Sequence, residues 1–208
     1  PRVRRQRQMC IRDRLIYRIK RRLLTHWTML INRINMMLRG IQYGKRFICC
    51  GSIFFRKGIG GCIVLGNDVS INSSRISDPI GGDTKTILIV GDNASLILHD
   101  GVSMSNTTVY ASNYIEIGER ACIGGGVKIY DTDFHSSNAE KRLCGNIDVP
   151  SEPIIIGKRV FIGGHSIILK GVMIGDEAVI GAGSVVTKNI PAGEIWAGNP
   201  AKLIRKIV

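Results

Sequence analysis

The sequence predicts an all-β chain: a parallel β-helix of hexapeptide repeats, preceded by an amphipathic helix and interrupted by one protruding loop. An aliphatic residue falls on every sixth position from Ile156 to Val186 (Ile156, Ile162, Ile168, Ile174, Ile180, Val186), and glycine follows four of the six, at Gly157, Gly163, Gly175 and Gly181. The period recurs upstream in blocks: Ile53, Ile59, Leu65, Ile71; then Val90, Leu96, Val102; then Ile117, Ile123, Ile129. A helix repeats its apolar face about every 3.6 residues and a flat strand every second one. A strict six requires a chain that turns a corner every six residues. If three hexads close a triangular coil, Ile156 stacks on Ile174, Ile162 on Ile180 and Ile168 on Val186, and each coil buries its aliphatic row against its neighbours.

Before the repeats, Arg4 to Arg14 reads RRQRQMCIRDR. All eleven positions agree with the frame translation of a transposon-type sequencing adapter, so residues 1–14 are set aside as an assembly artefact. That changes the charge argument. The chain carries +13, of which residues 1–14 hold +5 and residues 15–40, with six bases and no acid, hold +6, leaving +2 for residues 41–208. A near-neutral body removes the basic footprint that nucleic-acid binding requires, and no such partner is expected.

Residues 15–40 are the one stretch with helical spacing: Ile16, Ile19, Leu23, Trp27, Leu30, Ile34 and Met37 recur three or four apart, and Gly40 supplies a stop. Its longest uncharged run, residues 23–32, is too short to span a bilayer. The opposite face is basic, so the helix suits the surface of an anionic membrane or packing against the β-helix or a partner subunit. Setting Cys10 aside, the cysteines are Cys49, Cys50, Cys62, Cys122 and Cys144, an odd set without a CxxC pair. They read as reduced cytoplasmic thiols, and no metal site is expected.

Within residues 41–208 the register breaks at residues 130–155, a polar stretch with no hexad that carries Asp131, Asp133 and His135. A long loop on a solenoid is usually a functional projection. An imidazole can take the proton of a sugar hydroxyl, itself a poor nucleophile. Asp131 and Asp133 are the acids nearest in sequence to orient that imidazole or meet the acceptor.

With its hexads, its histidine loop and the closing run IGAGSVVTKNIPAGEIWAGNPAKLIRKI, the chain resembles the hexapeptide-repeat acyltransferases, in particular the galactoside, maltose and polysaccharide O-acetyltransferase branch, over roughly residues 48–207. The resemblance implies a left-handed β-helix, a homotrimer with active sites between subunits, acetyl-CoA as acyl donor and His135 as general base. It matches Asn106 to a residue that places the acceptor. It assigns the donor to Gly163, Gly164, Ala182, Gly183, Ser184, Thr187 and Lys188, with Asn199, Pro200 and Ala201 in a turn bordering the adenine, and Lys202 and Arg205 toward the phosphates. Backbone N–H groups of Gly163 and Gly164 are candidates to stabilise an oxyanion. Residues 189–208 form the C-terminal tail. The expected reaction is direct O-acetylation of a sugar hydroxyl, on a surface polysaccharide or its precursor, in the cytoplasm or at the inner face of the membrane. N-acetylation of an amino sugar nucleotide and acylation of an amino acid use the same base and donor site and stay open. An inactive scaffold is a further alternative. A β-helix carbonic anhydrase fits worse, because His99, His135 and His165 lie at least thirty residues apart.

Overall fold

A computed structural model describes residues 2–75 and 84–207, the side chains of residues 2–12 and 21 excepted. The adapter-like run therefore falls mostly among side chains outside the description, as does the middle of the insert between Ser73 and Thr86. Among the described residues, eighteen short strands wind through six coils. The first coil is β1 (Gln42–Tyr43), β2 (Ile48–Gly51) and β3 (Phe54–Lys57); the second is β4 (Cys62–Leu65), β5 (Ser70–Ser73) and β6 (Ile87–Val90). The third is β7 (Ser95–Leu98), β8 (Ser103–Ser105) and β9 (Thr108–Ala111); the fourth is β10 (Tyr114–Ile117), β11 (Cys122–Ile123) and β12 (Lys128–Tyr130). The fifth is β13 (Ile154–Ile156), β14 (Phe161–Ile162) and β15 (Ile167–Ile168); the sixth is β16 (Met173–Ile174), β17 (Val179–Ile180) and β18 (Val185–Val186). A hairpin, β19 (Glu194–Ala197) and β20 (Lys202–Lys206), closes the far end.

Every third strand pairs in parallel, which gives three sheets: β1-β4-β7-β10-β13-β16, then β2-β5-β8-β11-β14-β17 continued by β19 and β20, then β3-β6-β9-β12-β15-β18. The coil is left-handed. The predicted stacking holds in the last coils: Ile156 lies over Ile174, Ile162 over Ile180 and Ile168 over Val186. These inward side chains, with Leu88, Leu96, Ile117 and Ile129, are at most 2% exposed and form one continuous core. Ile59 departs from the predicted row. It sits in the corner after β3 and is 86% exposed, because β3 runs four residues, to Lys57, and carries the chain past the inward row before Ile59.

Helix α1 runs Arg2–Leu38, longer than the predicted 15–40 at its start, and ends ahead of Gly40, whose φ of +59° suits glycine. It covers the open edge of the first coil, where strand N–H and C=O groups would otherwise lack partners. Asn32 is fully buried there: its Nδ2 donates to the Gly51 carbonyl at 2.9 Å and its Oδ1 accepts from the Ile53 N–H at 3.0 Å. The Gly51 N–H donates to Thr28 Oγ1 at 3.2 Å. Met36 is buried beneath them. The capping face is therefore Thr28, Asn32 and Met36, and the expected apolar stripe faces outward instead of packing on the β-helix.

Candidate active site

The corner between the second and third sheets is built from small residues stacked coil upon coil. Asn106, Gly124–Gly126, Gly163–His165 and Ala182–Ser184 occupy it in turn, linked by Thr108 N–H to Val127 O, Lys128 N–H to Ser166 O and Ile167 N–H to Ser184 O, each 2.8–2.9 Å. The turn between β19 and β20 extends the column: Val185 N–H donates to Gly198 O at 2.9 Å and Ala201 N–H to Val185 O at 2.8 Å. The structure thus brings Asn106, Gly163, Gly164, Ala182, Gly183, Asn199, Pro200 and Ala201 to one edge. Gly163 has to be glycine, since a Cβ there would lie 2.5 Å from Ala182 N. Gly183 has a φ of +69° and open space where a Cβ would point. Ala182 and Gly183 are exposed, so this stretch of corner is a narrow, accessible strip of backbone.

Two sequence expectations change here. The Gly163 N–H donates to Ile180 O at 2.8 Å, so it is spent within the ladder and leaves the oxyanion-donor set. Ser184 is fully buried, its hydroxyl donating to Gly181 O at 2.6 Å and accepting from Gly198 N–H at 3.1 Å; it fastens the terminal turn instead of facing a ligand. Ser166 does the same one coil earlier, donating to Gly163 O at 2.8 Å. The tandem is legible as GGHS and GAGS eighteen residues apart, a signal that the sequence reading passed over.

The histidine loop, residues 131–153, leaves β12 at the next corner, between the third and first sheets, and contains helix α2 (Ala139–Leu143), capped by Asn138. Its first residues fold back against the third sheet. The Phe134 ring packs edge-on against Tyr110 and Tyr130, with centroids 4.8 and 5.1 Å apart. Asp133 Oδ1 pairs with Lys170 Nζ at 2.7 Å, tying the loop to the fifth coil. Asp131 does not meet solvent or an acceptor. It is fully buried, and its carboxylate accepts the N–H groups of Ser112, Asn113 and Tyr114 at 2.6, 2.7 and 2.9 Å. Burial, the larger effect, pushes this carboxyl above the ordinary carboxylate value, and the three amides pull it down. Asp131 is the anchor of the loop. His135, one residue beyond the Phe134 anchor, is exposed. Thr187 and Lys188 are exposed at the same corner, one coil beyond Lys170.

The remaining predicted residues separate. Lys202 pairs with Ala197 beside the terminal turn, whereas Arg205 pairs with Ile195, about 10 Å further along the hairpin at strand spacing. His165, with φ +59°, packs over Gly126 and stands in the column. Trp196 packs against the core and Phe161 is exposed on the second sheet. A separate cleft of about 570 Å³ opens at the corner between the first and second sheets, lined by His99, Glu116, Lys158 and Asp176. There Glu116 accepts from the Tyr114 hydroxyl at 2.6 Å and contacts His99 Nε2 at 2.6 Å. The Tyr114 and His99 contacts hold the Glu116 carboxyl below its ordinary value, and the Tyr114 hydroxyl is pushed up to about 12.

Parallel coils, hexad stacking and a corner column of small residues define a left-handed β-helix protein of the hexapeptide-repeat class. Residues 153–188 match the family described as hexapeptide repeat of succinyl-transferase. The chain is 42% identical over 113 residues to nodulation protein L of Rhizobium meliloti, covering 54% of this chain and 60% of that protein. It is 38% identical over 136 residues to a putative acetyltransferase of Saccharomyces cerevisiae, covering 64% and 62%. It therefore spans less than two thirds of either relative. AntD, an N-acyltransferase from Bacillus cereus solved with dTDP and 3-hydroxybutyryl-CoA, shares the fold with a TM-score of 0.64 at 21% identity, over 85% of this chain and 88% of that one. The matched repeats and the shared fold place the chain among left-handed β-helix proteins built on hexapeptide repeats.

Proposed function

We propose that the protein is an acetyl-CoA-dependent O-acetyltransferase acting on a sugar hydroxyl, with His135 as general base. One observation carries the reading: an exposed histidine rises beside the same sheet whose other edge presents the accessible column from Ala182 to Ala201. The donor supplies an acetyl thioester. The open backbone at Ala182 and Gly183 suits a thin pantetheine arm, and Asn199, Pro200 and Ala201 border the adenine. Lys202 takes a phosphate. Arg205 sits too far down the hairpin to share that phosphate and meets another part of the donor or none.

In the reaction, His135 takes the proton of the acceptor hydroxyl as its oxygen forms a bond to the thioester carbonyl carbon. The C–S bond then breaks, and the imidazolium returns the proton to the departing thiolate. Asp131 and Asp133 serve by fixing the loop that carries His135. Asn106 helps place the acceptor. Three copies assemble side by side with their β-helix axes aligned, which lets the His135 loop of one copy meet the donor column of another. An odd set of cysteines without a CxxC pair, Cys49, Cys50, Cys62, Cys122 and Cys144, and a cytosolic donor support a cytoplasmic enzyme. The sugar belongs to a surface polysaccharide or its precursor.

The test is His135→Ala, assayed with acetyl-CoA over a panel of sugars and amino sugars. Transfer falls by about 10²-fold or more, while assembly and donor affinity persist. Full activity in the variant overturns the mechanism, and transfer to amines alone replaces O-acetylation with N-acetylation.

A further inference from the structure

Helix α1 has two working faces, and the fold uses only one. Thr28, Asn32 and Met36 cap the first coil and are at most 6% exposed. Leu23, Trp27, Leu30, Ile34 and Met37 follow one another at spacings of four and three, which at about 100° per residue keeps them within roughly 80° of arc on the opposite side. They are 46–71% exposed, and Ile16 and Ile19 continue the stripe at 42% and 50%. From Ile16 to Met37 this is an apolar line about 30 Å long that the described residues leave open. Lys20 borders it on one side, and Arg22 and Arg33 on the other; all three are exposed.

Charge decides what covers the stripe. From Arg14 through Asn67 the sequence contains no aspartate or glutamate, and residues 15–67 carry ten basic residues. Residues 68–208, which hold the candidate active site, carry thirteen bases against fifteen acids. The chain is thus polarised: the helix and first coil are strongly positive, and the rest is slightly negative. A second copy would bring an identical positive surface against this one, with like charges opposing the contact. An anionic lipid surface brings the opposite charge together with an apolar layer deep enough for Trp27, Leu30 and Ile34, while Arg22 and Arg33 reach the headgroups.

We propose that the outward face of α1 docks the protein onto anionic lipid bilayers, the helix lying in the plane of the surface with its Thr28–Asn32–Met36 face holding the β-helix above it. This proposal does not depend on the acyltransferase reading. The test is co-sedimentation of the full chain with phosphatidylcholine vesicles, with and without phosphatidylglycerol, at low and high salt. The protein binds the phosphatidylglycerol vesicles, and salt weakens the binding. Arg22→Gln with Arg33→Gln weakens it on the order of 30-fold, from the attraction usual for two basic residues at a lipid surface. Leu23→Gln with Trp27→Gln weakens it by about tenfold or more. Both pairs are surface changes, so unfolding midpoints and acetyl-CoA affinity stay where they were. Failure of the parent protein to bind anionic vesicles overturns the proposal, as does equal binding by the parent and the stripe variant. If the stripe variant instead lowers the assembled mass in sedimentation velocity while vesicles are ignored, a second copy occupies the face.

Discussion

Two glycines at the same corner give opposite expectations when each is changed to alanine. At Gly163 the new Cβ would lie 2.5 Å from Ala182 N and 2.8 Å from its Cα, against an ordinary contact of at least 3.4 Å. Both neighbours are backbone of the next coil, so relief requires the sixth coil to move away by roughly 0.9 Å. The ladder bonds from Gly163 N–H to Ile180 O and from Ile167 N–H to Ser184 O, both 2.8 Å, stretch with it. Overpacking costs about 1–3 kcal/mol and each weakened bond about 1 kcal/mol, offset by under 1 kcal/mol from the stiffer unfolded chain. Gly163→Ala therefore destabilises by about 3 kcal/mol. At Gly183 the Cβ meets nothing within 4 Å, and the penalty is the left-handed φ of +69°, about 1 kcal/mol after the same offset. Its methyl group instead projects over the accessible strip assigned to the donor. In denaturant titrations Gly163→Ala shifts the midpoint well below that of Gly183→Ala, while Gly183→Ala weakens acetyl-CoA binding by about tenfold. Equal midpoints, or the reverse order, refute the stacking argument.

Two further outcomes follow from single side chains. Asn32→Ala leaves the Ile53 N–H buried without a partner and the Gly51 carbonyl with only the weak Cys49 thiol donor, a loss of about 2 kcal/mol readable as a lower unfolding midpoint and faster amide exchange in the first coil. Glu116 titrates lower in the folded chain than its ordinary 4.5, so its stabilisation is complete above that value and is lost as the pH falls through the depressed folded one. Glu116→Gln removes this contribution, and the acid limb of the unfolding curve flattens; an unchanged limb shows that the Tyr114–Glu116–His99 cluster does not couple to folding.

The sequence period and the structure agree most closely where strands and corners have fixed lengths. From Ile156 to Val186 each coil is eighteen residues, and every predicted stacking pair is present. Upstream, paired residues are nineteen or more apart, as at Ile117 over Leu98 and Ile129 over Val109, because the strands there run to three or four residues instead of two, a difference that a period count cannot allocate; Ile59 falls outside the inward row for that reason. The helix shows a different limit. Apolar periodicity finds the face that water would leave uncovered, but the end of a solenoid needs hydrogen bonds as well as apolar cover, so the capping face is marked by Thr28 and Asn32. Asp131 looks like a solvated loop charge because nothing in the sequence shows that Ser112, Asn113 and Tyr114 converge their N–H groups upon it. His135 stood out by its place in a register break, yet the Phe134–Tyr110–Tyr130 contact that seats its loop joins residues whose proximity exists only after the third sheet has formed.

The central claim is that the corner column binds an acyl donor for His135 to use. Calorimetric titration of acetyl-CoA into the full chain tests it most directly: the account predicts saturable binding at one site per chain, preserved in His135→Ala. A flat titration would contradict it.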